Sequence, residues 1–319
     1  MTETATRYGP IAADIPAVGE RLRSLSDGRH PLFGETLAYV FGNEGKQIRP
    51  ALVLLCGKLG IYEKDRLVTL AASLEVVHSA TLVHDDTIDQ ALSRRGLETV
   101  SAVWDSKVAI LVGDFLFAQS AHLAAQLNSV PVMTMLADTV MAMSTGELRQ
   151  YASSSDHIVD EADYLQRIRG KTASLFSMCC AGAGLVSRQS ASHIEALARF
   201  GTNLGLAFQI ADDVLDFTGN EAVLGKPAGS DLRQGTVTLP LILYASQPDE
   251  KVRLMHTLES GEDLQDVIDA VRTSDAPRQA LHHAAGYAEQ AREALNEFPN
   301  SEARQALAHL AQHVIERDF

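Results

Sequence analysis

Proline placement restricts this chain more than any other feature. Between Pro50 and Pro227 the sequence holds a single proline, Pro131. Because proline costs about 3 kcal/mol inside a helix, so long an interval is permissive of long helices. The apolar residues agree. Leu67, Leu70, Ala71, Leu74, Val77 and Val83 recur at three- and four-residue steps, as do Val108, Leu111, Val112, Phe115 and Leu116. Ile194, Leu197, Ala198 and Leu204 repeat the pattern. This is the helical period and not the alternation of a strand; no strand run and no hairpin signal is visible. Clusters of Gly, Pro, Ser and Asp near 27–28, 42–45, 153–156, 225–235 and 248–249 mark breaks, none long enough for an interdomain linker. From Asp263 onward the chain reads as a polar amphipathic helical segment. Its His282, His283, His309 and His313 read as a solvated face, not a metal cluster. The expected architecture is all-α, a single domain over residues 1–319.

Composition then narrows the class. Hydrophobic residues are 46% and charged residues 21% of the chain, as in an ordinary globular protein and unlike a disordered one. Lys and Arg number 27 against 41 Asp and Glu, a formal charge of −14. That argues against a broad nucleic-acid or anionic-membrane surface, so any anionic ligand must meet a local cluster of cations. Cys56, Cys179 and Cys180 make neither a disulfide framework nor a zinc pattern. The N-terminal stretch has no apolar run of signal-peptide length. The apolar stretch 67–83 is interrupted by Glu75 and His78, so no transmembrane helix is expected. A cytoplasmic location is the expectation.

Two short stretches carry the chemistry. Leu82-Val83-His84-Asp85-Asp86-Thr87-Ile88-Asp89 places three acids at the end of an apolar helix. Asp85 and Asp89, four apart, share a face, where like charges destabilise a helix unless something positive lies between them. Phe208-Gln209-Ile210-Ala211-Asp212-Asp213-Val214-Leu215-Asp216 repeats the D-D-x-x-D spacing within a second apolar helix. One such triad is an ordinary solvated helix end. Two, both embedded in apolar sequence, are not. Hard oxygen ligands without a His or Cys set point to Mg2+, which binds through a few carboxylates, waters and substrate phosphates.

The cations fit a phosphate-bearing substrate. Gly45-Lys46-Gln47-Ile48-Arg49-Pro50 precedes a helix, whose N-terminal amides favour an anion. Arg94-Arg95-Gly96 follows Asp89 by about one helical turn. Lys171-Thr172 and the segment around Lys226 and Arg233 add more. Each is weak alone; together they suffice for two diphosphate groups.

In their order, these motifs resemble the trans-polyprenyl diphosphate synthase family from about residue 40 to 245. The run is Gly45-Lys46-x-x-Arg49-Pro50, His78, the first triad with Arg94-Arg95-Gly96, Gly113-Asp114, Gly146-Glu147-x-x-Gln150, Lys171-Thr172-Ala173, Phe208-Gln209 with the second triad, and the 225–240 loop. The resemblance implies a helical bundle of the isoprenoid-synthase type around a central cavity. It also implies head-to-tail addition of isopentenyl diphosphate to an allylic diphosphate. Asp85, Asp89 and Asp212 would hold magnesium on the allylic diphosphate, with Asp86, Asp213 and Asp216 as supporting acids. Arg94, Lys171 and Lys226 would contact that diphosphate, and Lys46, Arg49, His78 and Arg95 that of isopentenyl diphosphate. Thr172 and Gln209 would line the space where the carbocation forms. A homodimer is implied, with an apolar helix over 108–127 as a candidate interface.

Two positions depart from the family pattern. Glu44 stands where a glycine is usual, which costs the loop freedom or sets an acid near a diphosphate; Thr236 stands where many members carry lysine, which reads as subfamily variation. A terpene cyclase would lack the second full triad and the isopentenyl site. A His-Asp phosphohydrolase, suggested by His84-Asp85, would need further histidines, so His84 reads as a hydrogen-bonded neighbour of the carboxylates. A regulatory subunit would be expected to lose a triad. Product length rests on the residues before Asp85. In the family, bulky aromatics four or five positions earlier stop short products. Here those positions are Thr81 and Ala80, with Val77 a turn further, which implies a medium-to-long product unless Phe115 or Phe117 closes the path; a farnesyl or geranylgeranyl product is the alternative.

Overall fold

The computed structural model describes residues 9–26, 30–42, 47–94, 96–155, 160–219 and 227–316. Its helices in chain order are α1 Ile15–Arg23, α2 Pro31–Gly42, α3 Ile48–Gly57, α4 Lys64–Ile88, α5 Val100–Val103, α6 Ser106–Ala125, α7 Val130–Ser155, α8 Glu161–Ile168 and α9 Ser174–Val186. They continue with α10 Ala191–Thr218, α11 Ser230–Arg233, α12 Leu239–Tyr244, α13 Pro248–Ser260, α14 Leu264–Thr273, α15 Ala276–Ala294 and α16 Glu302–His313. The all-α expectation holds. Pro131 falls in the first turn of α7, where its missing N–H removes no intrahelical bond.

One expectation needs correction here. A small antiparallel ladder exists: β1 Ser93–Arg94 pairs with β2 Leu97–Glu98. Two-residue strands are too short to show a period, and Gly96 makes the turn at φ +77°. The segment after Asp263 is helical, as expected, and is made of α14, α15 and α16. Of these α15 buries a stripe of Ala280, Ala284, Ala288 and Ala291, small residues that let helices approach closely.

The chain forms two compact units. The first comprises Met1–Val140, Ser177–Ala198 and Leu295–Leu307; the second Met141–Phe176, Arg199–Ala294 and Ala308–Phe319. In the first, α4 packs along α6. Leu67, Leu70, Leu74 and Val77 of α4 are buried, as are Val112 and Leu116 of α6; each such aliphatic side chain contributes about 1.5–3 kcal/mol when fully buried. At one end Ser73 Oγ donates to the Ser120 carbonyl at 2.9 Å. At the other, His84 Nε2 lies 3.1 Å from the Ile110 carbonyl, and a Cβ on Gly113 would overlap its ring. Ser73, Val77, Ala80 and His84 therefore share the face of α4 turned to α6. Asp85 sits about 100° round the helix from it.

In the second unit Leu206, Ile210 and Val214 of α10 pack with Tyr164, Ile168, Ala173 and Leu239. A Cβ on Gly205 would lie 2.6 Å from Ala173 Cα, so only glycine lets α10 seat this closely. Helices α4 and α6 are both long and apolar enough to cross a membrane, with mean hydropathy 1.4 and 1.5 in their best windows. Sequence reading excluded such a stretch; the acid and histidine that prompted it are outweighed by apolar neighbours. Of these windows 61% and 44% is buried within the protein.

Candidate active site

Asp85, Asp86 and Asp89 close α4, and the Asp89 N–H donates to the Asp85 carbonyl at 2.8 Å. The three acids differ in burial. Asp86 is 7% exposed, Asp85 is half-buried and Asp89 is exposed. Burial pushes the Asp86 carboxyl above the usual carboxylate range and the Asp89 charge adds to this, while Arg94 opposes it. Arg94 Nε donates to Asp86 Oδ1 at 2.7 Å. Arg94 thus stands on a hairpin, not one helical turn on, and it is joined to a supporting acid. The hairpin is pinned on both sides: Tyr39 O–H donates to the Glu98 carbonyl at 2.7 Å, and Thr99 Oγ1 to the Ala91 carbonyl at 2.6 Å.

The other residues of this unit fall as follows. Arg49 is half-buried in the first turn of α3, and His78 is half-buried on α4. Val77 and Ala80 are buried, whereas Thr81 is half-buried with Oγ1 donating to the His78 carbonyl at 2.8 Å. His84 does not neighbour the triad carboxylates as expected. It turns to Ile110 and lies 3.8 Å from Asp114. Phe115 packs on Phe33 and Phe117 on His84. Lys46, Arg95 and Lys226, like Glu44, lie outside the described residues.

The second triad repeats the same division more sharply. Asp212 is exposed, while Asp213 and Asp216 are 3% and 2% exposed. Asp216 Oδ2 accepts the Asp231 N–H at 3.2 Å, which ties the 227–238 segment to α10. Asp213 accepts from Tyr164 O–H at 2.6 Å and from Gln209 Nε2 at 2.8 Å. Burial holds its carboxyl well above the usual range and Asp231 adds to this, opposed by the two hydrogen bonds. Gln209 Oε1 in turn accepts from Thr172 Oγ1 at 2.7 Å. Thr236 is buried in a turn closed by its N–H on the Asp231 carbonyl at 2.8 Å.

Lys171 and Thr172 lie in a π-helical turn, Arg169–Ala173. Such bulges recur at functional sites, and here the cause is visible. A Cβ on Gly146 would sit 2.5 Å from the Lys171 backbone nitrogen, and one on Gly170 would sit 2.8 Å from the Ala142 carbonyl. The two backbones therefore touch. That approach brings Glu147 Oε2 within 2.6 Å of Lys171 Nζ, which also donates to Gln150 Oε1 at 3.3 Å. The Gly146-Glu147-x-x-Gln150 motif, without a role in the sequence, is the seat of Lys171. Arg167, almost wholly buried, joins Asp163 at 3.0 Å to the Val237 carbonyl at 2.7 Å.

Of the triad acids, Asp85 is half-buried and Asp89 exposed in the first unit, and Asp212 is exposed in the second. Among the described residues no three Asp, Glu, His or Cys side chains close on one point. Each triad by itself leaves hard carboxylate oxygens within reach of water, the donor type that magnesium takes together with waters and substrate phosphates.

The sequence profile of the polyprenyl synthetase family matches residues 30–274. The chain belongs to that family. Heptaprenyl diphosphate synthase component 2 of Geobacillus stearothermophilus is 37% identical to this polyprenyl synthetase over 316 residues, 98% of each chain. A decaprenyl diphosphate synthase from Rhodobacter capsulatus superposes with a TM-score of 0.90 at 34% identity, over 98% of both chains. A polyprenyl synthase from Caulobacter crescentus, solved with calcium and isoprenyl diphosphate, gives 0.92 at 33% identity, again over 98% of both. The isoprenoid-synthase fold expected of this polyprenyl synthetase is therefore established. Tyr164 and Glu147 are the site residues to which sequence reasoning gave no part. Tyr164 looks like any core aromatic of an amphipathic helix, and only the O–H at Asp213 sets it apart.

Proposed function

We propose that this chain is a magnesium-dependent trans-polyprenyl diphosphate synthase. It adds isopentenyl diphosphate head-to-tail to an allylic diphosphate, repeatedly, to a product of about six isoprene units or more. The observation that carries the reading is the shared division of the two triads. Each leaves at least one acid exposed and buries at least one on a fixed partner, and a seated lysine accompanies the second. Asp85 and Asp89, and separately Asp212, would hold magnesium ions. Magnesium, when bound, neutralises the charge that gathers on the leaving diphosphate.

The chain's own residues do the rest. Arg94, Lys171 and Lys226 grip the allylic diphosphate; Lys46, Arg49, His78 and Arg95 grip isopentenyl diphosphate. The allylic C–O bond breaks with its electron pair leaving on the diphosphate, the isopentenyl double bond attacks the resulting cation, and the departing diphosphate takes the proton then lost. Thr172 and Gln209 present oriented dipoles to the cation, the kind of preorganised stabilisation that needs no nucleophilic side chain. The small residues at 80 and 81, and rings at 115 and 117 engaged with Phe33 and His84, support a long product. The family match spans residues of both units, which supports one synthase domain. A homodimer is supported by the exposed Ile110 and Leu111 on α6, and a cytoplasmic location by cysteines that are all free and buried.

Mass analysis of the product from isopentenyl diphosphate and a short allylic primer tests the reading; consumption of the primer alone, or no product, refutes it. Arg49→Ala separates the two substrate sites. Arginine holds phosphate through paired charge-assisted bonds, so the apparent KM for isopentenyl diphosphate should rise about tenfold or more, the scale of losing one such bond. The KM for the allylic partner should move little. Equal losses for both would refute the partition.

A further inference from the structure

The hydrogen-bond chain that ends at Asp213 has a direction. Thr172 Oγ1 donates to Gln209 Oε1, Gln209 Nε2 donates to Asp213 Oδ1, and Tyr164 O–H donates to Asp213 Oδ2. Both carboxyl oxygens of Asp213 accept here, so Gln209 turns its NH2 group to Asp213 and its carbonyl oxygen to Thr172. The one hydrogen of the Thr172 hydroxyl is then committed. What that hydroxyl offers to any other neighbour is lone-pair density. Were the order reversed, it would offer a hydrogen, which repels a cation.

Gln209 and Thr172 cannot set this order themselves, because an amide can flip and a hydroxyl can rotate. Tyr164 can. Its ring is enclosed by Ile168, Leu206, Ile210 and Leu239, with the Arg167 guanidinium 5.7 Å from its centre, so its O–H has one fixed place. We propose that Tyr164 is a positioning residue of the condensation: it holds Asp213 as terminal acceptor, fixes the Gln209 amide, and so keeps an electron-rich Thr172 oxygen available to the allylic carbocation. Tyr164 itself touches no substrate. The proposal rests on the prenyl-elongation reading above.

Tyr164→Phe removes one oxygen and keeps the ring. The kcat of the first condensation should fall about tenfold, the upper end of what one hydrogen bond contributes. KM for both diphosphates and the half-saturating magnesium concentration should stay within about twofold, since no group that binds them is altered. The deciding measurement is a double-mutant cycle. Thr172→Val causes its own loss, and adding Tyr164→Phe to it should cost nothing more, because both act through one chain. Losses that multiply, as a merely structural tyrosine gives, overturn the proposal, and so does an unchanged kcat in folded Tyr164→Phe. Should Tyr164→Phe not fold, Asp213→Asn takes its place in the cycle with the same two outcomes. An active wild type with multiplying losses refutes the positioning role alone; a wild type that joins no isopentenyl unit refutes elongation, and the proposal with it.

Discussion

Asp212→Ala and Asp85→Ala are each expected to lower turnover by about a hundred- to a thousandfold, the scale on which loss of one group stabilising developing charge acts. Asp212 is exposed and Asp85 is half-buried, so neither change empties a fully buried position. Thermal unfolding should stay within a few degrees of wild type, as for surface substitutions generally. Asp213→Ala is the contrast. It strands the Tyr164 hydroxyl and the Gln209 amide, and a buried donor left unsatisfied costs about 1–3 kcal/mol, so melting should fall together with activity. Steady-state incorporation of isopentenyl diphosphate across a magnesium titration, with melting curves alongside, checks both halves. Full activity of the Asp212 or Asp85 variant, or of wild type in excess chelator, sinks the metal assignment.

Thr81→Phe should shorten the product to about fifteen or twenty carbons while leaving the first condensation largely intact. Thr81 lies one turn below Asp85 on nearly its face, and about 30 Å of α4 separates Asp85 from Lys64. A phenyl ring there closes what a threonine leaves open. Ala80 now reads differently. It is fully buried on the face that carries Ser73 and His84 to α6. Ala80→Phe must therefore push those helices apart, at about 1–3 kcal/mol of overpacking, and should lose stability as well as length. Mass spectra of the prenyl alcohols released from wild type and both variants decide it. A wild type that stops at about twenty carbons, or a Thr81→Phe product of unchanged length, rejects the open floor.

What the sequence disclosed and what it hid follow a physical line. Helices such as α4 and α10 were legible because proline is scarce there and their apolar residues keep one period over many turns. The triads were legible because acids are costly inside apolar sequence, so their presence demands a reason. The division within each triad was not legible. Asp212 and Asp213 are neighbours of one residue type, and only the third dimension puts Tyr164 beside one and solvent beside the other. The π turn under Lys171 was hidden for a similar reason. It arises where Gly146 and Gly170 let two backbones meet, and those glycines lie far apart in the chain. The ladder that carries Arg94 is two residues long, too brief to leave a pattern.

Helix α4 ends against its own electrostatics. Aligned peptide dipoles give a helix C-terminus about half a negative charge. The last turn holds no basic residue, while Asp85, Asp86 and Asp89 all stand there. Arg94 is paired with Asp86. Such a terminus repels a bare polyanion whatever hydrocarbon it carries, and favours one whose charge is already cancelled by accompanying cations. On the proposed reading, this terminus would select for charge state ahead of tail length.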